Sequence, residues 1–328
     1  MVGTRIACLA LAALLLCAGT EQSRAQTVGY GEALAQLAAN CGDDIANFCS
    51  KINLGGGQVA ECLEQHWAKV SILCKGTNAA VATLIKKRAR ARADVPKLCE
   101  LDRLKFCGGI EPGDGRLLDC FYKAKQSLDP ACQQAILDAG YEDSLNTDPA
   151  SDQIHLSSGD IVSSLKEVER PASIISAAKL RQLAAQAVHE RSRADRPPLF
   201  AGLDKLAQLT VAIRFDSDSA RIRPSSYSAL GLIADALYHP YLQGYCFLVV
   251  GHTDARGSRE YNLKLSQERA DAVREALINP FGISAARIQA VGLGEEQSLN
   301  RKNPRAPENR RVQVINIGKL GSNAQCPE

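Results

Sequence analysis

Within one short stretch, Gly251 to Arg274, the chain carries a carboxylate at Asp254, a side-chain amide at Asn262 and a guanidinium at Arg269. A carboxylate accepts hydrogen bonds from an ammonium group. A guanidinium donates two parallel bonds to a carboxylate, a geometry that lysine does not reproduce. Together the three groups suit non-covalent capture of a zwitterion, which presents both charges on one small body. Taken alone, Asp254 and Arg269 fit a structural ion pair across a loop as readily. His252 reads as a packed or loop-bonding residue rather than a catalyst. No His/Asp/Ser arrangement of the kind used in nucleophilic catalysis is visible elsewhere, so neither enzyme activity nor a cofactor is expected.

The elements that must position these groups alternate between strands and helices. Tyr245 to Gly251 is predicted as a buried strand, so Asp254 stands just where the chain leaves the core. Asn262 to Ile278 is predicted as a helix with a core stripe of Leu263, Ser266, Ala270, Val273 and Leu277. Asn262 and Arg269 are seven positions apart and share one side of that helix, beside the stripe. Upstream, Thr210 to Phe215 alternates like a half-buried strand and Asp216 to Ser219 forms a loop. A helix then runs from Pro224 or Ser225 to about Tyr238, with Ala229, Leu232, Ile233 and Leu237 on one face. Arg287 to Leu293 and Arg311 to Ile317 close the sheet. Helices between strands predict an α/β sandwich with the helices on one face.

Five motifs fall in order over this region: F-D-S-D-S-A from Phe215, G-H-T-D from Gly251, N-x-x-L-S-x-x-R-A from Asn262, G-x-G-E from Gly292 and N-R-R-V from Asn309. With them, residues 208–318 resemble the OmpA-like peptidoglycan-binding domain. The resemblance implies a βαβαββ-type fold and binding, without covalent chemistry, of the diaminopimelate in peptidoglycan stem peptides. By position it implies that Asp254 and Arg269 grip the ligand, with Thr253, Asp218 and Arg310 as rim contacts. Asn262 completes the candidate set. Diaminopimelate in a stem peptide offers an ammonium beside a carboxylate, which matches the acid and base described above. The sequence departs from the family pattern at the rim. Ser298 stands near a usual proline, and the loop before N-R-R-V is shortened to Leu299–Glu308.

The chain holds 12 cysteines. Eight form two quartets, Cys41, Cys49, Cys62, Cys74 and Cys99, Cys107, Cys120, Cys132, related by a shift of 58 positions at every member. Asp44 with Asp102, Phe48 with Phe106, Gly55 with Gly113 and Gly57 with Gly115 repeat at the same shift, so this is a tandem repeat. Each unit reads as a helical hairpin: in the first, Leu34 to Phe48 and Val59 to Leu73, broken at Gly55-Gly56-Gly57. Folding one helix back on the other brings Cys49 near Cys62 at the turn and Cys41 near Cys74 at the open end. The second unit would pair Cys107 with Cys120 and Cys99 with Cys132. The sequence permits three connectivities per quartet, of which this nested one is preferred. A metal is not expected: the closest cysteines are eight apart, and the counterpart of His66 is Ala124. The units, across about residues 35–140, resemble the cysteine-rich repeat first described in a Golgi apparatus protein, which implies a disulfide-bonded helical module and no chemistry. Cys246, opening a central strand, and Cys326, in the tail, are left as a further pair that can bridge.

Arg5, the apolar run Ile6 to Ala18 (with Cys8 and Cys17) and Ser23-Arg24-Ala25 read as a secretory signal with Gln26 as the first mature residue. A retained anchor is one alternative. Lipidation of Cys17 is another, against which Leu16 is bulky for the place before a lipidated cysteine. Export to an oxidising compartment agrees with disulfides. Residues 142–170 are polar and read as linker, Ile174 to Arg191 as a spacer helix, and Asp195-Arg196-Pro197-Pro198 as its stop. Lys86-Lys87-Arg88-Ala89-Arg90-Ala91-Arg92 reads as a solvated helix face joining the repeats, or as a contact for an anionic envelope surface. A net charge of +3 over 328 residues gives no reason to expect nucleic acid.

The domain reading is a signal over 1–25 and two cysteine-rich helical repeats within 26–140 (35–80 and 93–140). A linker with its spacer helix over 141–205, the OmpA-like domain over 206–320 and a tail over 321–328 follow. The expected partner is peptidoglycan, with an envelope protein or anionic surface against the repeats as a second. The expected location is the periplasm, wall-bound and outer-membrane-associated. The alternative function is a redox-responsive or partner-binding cysteine-rich module merely tethered to the wall.

Overall fold

In a computed structural model, the described residues are 27–55, 58–141, 157–166, 176–189, 202–321, 323 and 325–326. The signal segment with Cys8 and Cys17, Gly56-Gly57, most of the linker and Asp195–Pro198 lie outside them. The first cysteine-rich unit is built from helices α1 (Tyr30–Phe48), α2 (Gln58–Gln65) and the start of α3 (Ile72–Leu98). The second is built from α4 (Glu100–Phe106), α5 (Arg116–Lys123) and α6 (Pro130–Ala139). Cys41–Cys74 and Cys49–Cys62 join the first unit, and Cys99–Cys132 and Cys107–Cys120 the second.

The expected two-helix hairpin is corrected to three helices, because the predicted Val59–Leu73 helix breaks after Gln65. Ser71 then starts α3, its side chain accepting from the Cys74 amide. Asp44 fixes this start by accepting from the Ser71 amide and hydroxyl at 3.2 and 2.7 Å. In the second unit Asp102 accepts from the amide of Asp129, which caps α6 in the same way. The repeated aspartate thus holds a helix start, one of the few places where a buried or half-buried carboxylate satisfies otherwise orphaned donors.

The basic run also needs correction. Lys86, Lys87 and Arg90 are exposed, but Arg88 and Arg92, one helical turn apart, are buried. Both pair with Asp235, Arg88 at 3.5 Å and Arg92 through a shorter bond. Asp235 also accepts from the Tyr30 amide at 2.6 Å, and the Arg92 guanidinium lies over the rings of Tyr30 and Tyr238 at 4.6 and 4.7 Å. A carboxylate deep in a core needs this many partners to offset its desolvation.

The remaining helices are α7 (Ser158–Lys166), α8 (Ala177–His189), α9 (Tyr227–Leu237) and α10 (Arg259–Ile278). The strands are β1 (Gln208–Val211), β2 (Tyr245–Gly251), β3 (Ile288–Gly292) and β4 (Val312–Lys319). They form one sheet in the order β1-β4-β2-β3, with β2 parallel to β3 and β4 antiparallel to β1 and β2. The order along the chain from β1 is βαβαββ. The predicted Thr210–Phe215 strand is corrected to β1, which ends at Val211; Phe215 instead bridges Ile222 across a loop.

Alternate residues of β2 serve two cores. Phe247 and Val249 belong with α9 and α10, whereas Cys246, Leu248 and Val250 belong with Ala177, Leu180 and Ala184 of α8. Helices therefore cover both faces of the sheet, not one, and the supposed spacer helix is the second layer. Cys246–Cys326 ties the tail to this face. Ser158–Lys166, read as linker, is the helix α7, whose Ile161, Val162 and Leu165 are in the main core. α1 joins the same core by crossing α9 at glycine contacts: a Cβ on Gly231 would lie 2.4 Å from the Tyr30 carbonyl. The Tyr30 ring stacks on Phe281 at 4.9 Å. The first cysteine-rich unit and the sheet domain share one hydrophobic core.

Candidate functional site

The site forms where β2 ends and α10 begins. α10 starts at Arg259, three residues before the predicted Asn262, because Ser258 caps it by accepting from the Tyr261 amide. Its buried stripe contains Leu265 rather than the expected Leu263, which is half-buried against the α8 core. The approach of α10 to the strand ends requires glycine at two paired positions, Gly251 and Gly292. A Cβ there would lie 2.3 Å from the Ser266 carbonyl and 2.2 Å from the Gln267 amide. Ser266 and Gln267 use the space to accept from the amides of Gly294 and Gly292, each at 2.8 Å.

The segment His252–Asp254 leaves β2 and is held on several sides. His252 donates its amide to Arg311, Thr253 to Gly294 and Ala255 to Pro304. The His252 ring is buried against Gln313 at 2.6 Å. Burial and the nearby Arg311 charge push its pKa down to about 3, so the ring is neutral at physiological pH. That chemistry suits a packed ring and not a proton carrier.

All six candidate residues, Thr253, Asp254, Asn262, Arg269, Asp218 and Arg310, line a single open cleft of ≈ 920 Å³. The Asp254 carboxylate is almost fully buried and pairs with Arg310 at 2.5 Å; it also accepts from the Arg256 amide at 3.2 Å. Arg269 does not spend its charge on Asp254. Its Nε donates to the Ser219 carbonyl at 3.0 Å and its Nη2 to the Asp216 carbonyl at 3.4 Å, with the guanidinium 5.0 Å from the Phe215 ring centre. Burial lowers the Arg269 pKa, against the neighbouring Tyr261, Asp218 and Asp254, while Arg310 adds to the lowering; an arginine nevertheless stays protonated.

Asn262 is buried, and its Nδ2 donates to the Asp254 carbonyl at 3.2 Å and to Glu295 at 2.6 Å. It ties the acid-bearing loop to the helix. Burial raises the Glu295 pKa, an effect that this bond opposes. Thr253 contributes a buried hydroxyl for which the described residues supply no partner. Asp218 is exposed, in the left-handed region at φ 48°, and accepts from the Tyr261 hydroxyl at 3.3 Å. The shortened rim loop is organised by Asn309, fully buried, which donates to the carbonyls of Asn300, Asn303 and Pro304.

Sequence reasoning did not single out Phe215 and Tyr261, which line the same cleft. Phe215 was visible as the first letter of its motif, and Tyr261 as the aromatic next to Asn262. The cleft thus joins an acid paired closely with Arg310 and more distantly with Arg256 at 3.8 Å, a further arginine held by backbone carbonyls, an aromatic floor and an unsatisfied hydroxyl. It is equipped to recognise a small group bearing both charges.

Residues 214–311 match the model of the OmpA family, and residues 34–71 that of a cysteine-rich repeat. Outer membrane porin F of Pseudomonas aeruginosa is 34% identical over 95 residues, 29% of this chain and 27% of that protein. The peptidoglycan-associated lipoprotein of Mesorhizobium japonicum is 40% identical over 87 residues, 26% of this chain and 50% of that protein. The chain therefore spans half or less of the length of these curated relatives. The crystal structure of the peptidoglycan-associated lipoprotein from Burkholderia pseudomallei aligns at 36% identity over 33% of this chain and 88% of that one, with a TM-score of 0.28. This chain carries an OmpA-family domain and, ahead of it, disulfide-bonded cysteine-rich helices.

Proposed function

We propose that the chain binds peptidoglycan through this cleft and holds an exported envelope protein to the cell wall. The bound group is the zwitterionic end of diaminopimelate in a stem peptide. The observation that carries the reading is the convergence of Asp254 and Arg269 on one cleft without pairing to each other. Asp254 keeps lone pairs beyond those used by Arg310 and Arg256, and these receive the ligand ammonium. The loop carbonyls hold Arg269 by Nε and Nη2, which fixes its plane and leaves the Nη1 side to a ligand carboxylate. Thr253 supplies a hydroxyl, and Tyr261 and Asp218 close the rim. The domain match and the names of the relatives support the wall as the source of the ligand. The protein acts by binding and not by catalysis, in the periplasm and close to the outer membrane. Charge-assisted bonds of about 1.5–3 kcal/mol each give a modest affinity per site, which a polymer with many sites makes effective.

The test is co-sedimentation of the protein with isolated sacculi. Asp254→Ala and Arg269→Ala each reduce the bound fraction by at least about tenfold in apparent affinity, the loss of one charge-assisted bond. Melting curves confirm that each variant is folded. Folded variants that both sediment like the unsubstituted protein would defeat the assignment.

A further inference from the structure

The first cysteine-rich unit reaches the loop that borders the ligand cleft. The turn between α1 and α2, closed by Cys49–Cys62, lies against the sheet domain, with Leu54 buried in the shared core. Next to it, Asn53 donates from Nδ2 to the Ala220 carbonyl at 2.8 Å. Its Oδ1 accepts from the Ile222 amide at 2.9 Å and the Leu54 amide at 3.2 Å. One side-chain amide thereby satisfies a carbonyl and an N–H two residues apart, as a neighbouring strand would.

The segment held in this way carries Asp218 at its tip and supplies the carbonyls that fix Arg269. The carbonyl of Ser219 takes Arg269, and the next one, of Ala220, takes Asn53. The tip is pinched between a residue of the cleft and a residue of the repeat. Asp218 sits at φ 48° in a loop closed by the Asp216 amide on the Arg221 carbonyl and the Arg223 amide on the Arg214 carbonyl, and the Arg269 and Asn53 bonds hold that loop from outside.

We propose that Asn53 is a positioning residue for the cleft, which is complete only when the first cysteine-rich turn is docked. The inference rests on the peptidoglycan reading of the cleft. The repeat supplies an internal comparison. At the shift of 58, Glu111 stands where Asn53 would, in the turn closed by Cys107–Cys120. That second turn docks elsewhere: Asp114 bonds the Lys319 amine at 2.7 Å and the Tyr245 hydroxyl at 3.0 Å, at the end of β2 opposite Gly251. Two related turns bracket the sheet, and the one carrying Asn53 holds the cleft loop.

The test uses the full chain and a muropeptide whose stem ends in meso-diaminopimelate. Asn53→Ala weakens binding about five- to tenfold, the value of one to two neutral hydrogen bonds, and speeds amide hydrogen exchange at Ile222. Asp114→Ala, which loosens the second turn, leaves the affinity within about twofold. Should Asn53→Ala not fold, Asn53→Asp keeps the acceptor for Ile222, loses the donor to Ala220, and weakens binding in the same direction. Unchanged affinity in the Asn53 variants overturns the inference, whether or not Ile222 exchanges faster. Equal weakening by Asp114→Ala also overturns it, because that marks a general effect of undocking. Failure of the unsubstituted protein to bind overturns the peptidoglycan reading itself, a result distinct from either.

Discussion

His252 shows how one residue at the site can be separated from the ligand chemistry around it. It sits beside two candidate contacts, yet its ring is buried and its pKa lies near 3. In the unfolded chain the ring titrates near 6.5. Between these values the unfolded state takes up a proton that the folded state refuses, so stability is full above about pH 6.5 and falls as the pH drops toward 3. The loss reaches about 2 kcal/mol by pH 5 from this residue alone. His239, buried near Tyr141 with its pKa pushed down to about 4 by burial, adds in the same direction. Denaturant titrations across pH 7 to 4 should show a shallower decline for His252→Gln than for the unsubstituted protein. Parallel profiles would place the sensitivity elsewhere. His252 was legible as a packed residue because it follows a strand that reads as buried on both faces. The burial of Arg88 and Arg92 was not legible, because Asp235 lies 143 positions beyond Arg92 and nothing local reports it.

Among the elements, the crossing of α1 over α9 makes the sharpest demand on sequence. Gly231 lies inside α9, where alanine by propensity alone is worth about 1 kcal/mol more. At this position a Cβ meets the backbone of Tyr30 at 2.4 Å, and the carbonyl cannot rotate away as a side chain can. Overpacking of this kind costs about 1–3 kcal/mol. Gly231→Ala therefore lowers the urea midpoint if the first unit is docked, and raises it if α9 faces water. The sign alone decides. Strand and helix order in the sheet domain was readable from periodicity, as was the repeat from its cysteine spacing. The boundaries failed where caps outweigh apolar pattern: Ser258 starts α10 early, and Ser71 with Asp44 restarts the chain as α3. The helix α7 was missed although Ser157 and Asp160 form a reciprocal capping pair, since the polar residues around them resemble a linker. α8 was recognised as a helix, but its layer was not, because a four-stranded sheet with an apolar second face can be covered by any amphipathic helix within reach.

For the molecule as a whole, the cysteine-rich half and the sheet domain are two ends of one packed structure. The core shared by the first unit and the sheet, the buried Arg88–Arg92–Asp235 cluster and the two docked turns make the repeats part of the scaffold that presents the cleft, while the second unit keeps a core of its own. Disulfides suit that role, since a rigid support for the loop at Ala220 limits the ordering cost of binding. That these six residues share one cleft was legible from their motifs, which fall beside β1, β2 and β4 and on α10. Asn53 was not, because its role depends on a contact 167 to 169 positions away. Binding at the cleft is tested by a residue-resolved NMR titration of the full chain with a meso-diaminopimelate stem peptide. Zwitterion capture there predicts saturable shifts concentrated at Thr253, Asp254, Asn262 and Arg269, lost in Arg269→Ala and much weaker with the matching lysine peptide. Saturable shifts that avoid these residues, or an equal response to the lysine peptide, would contradict it.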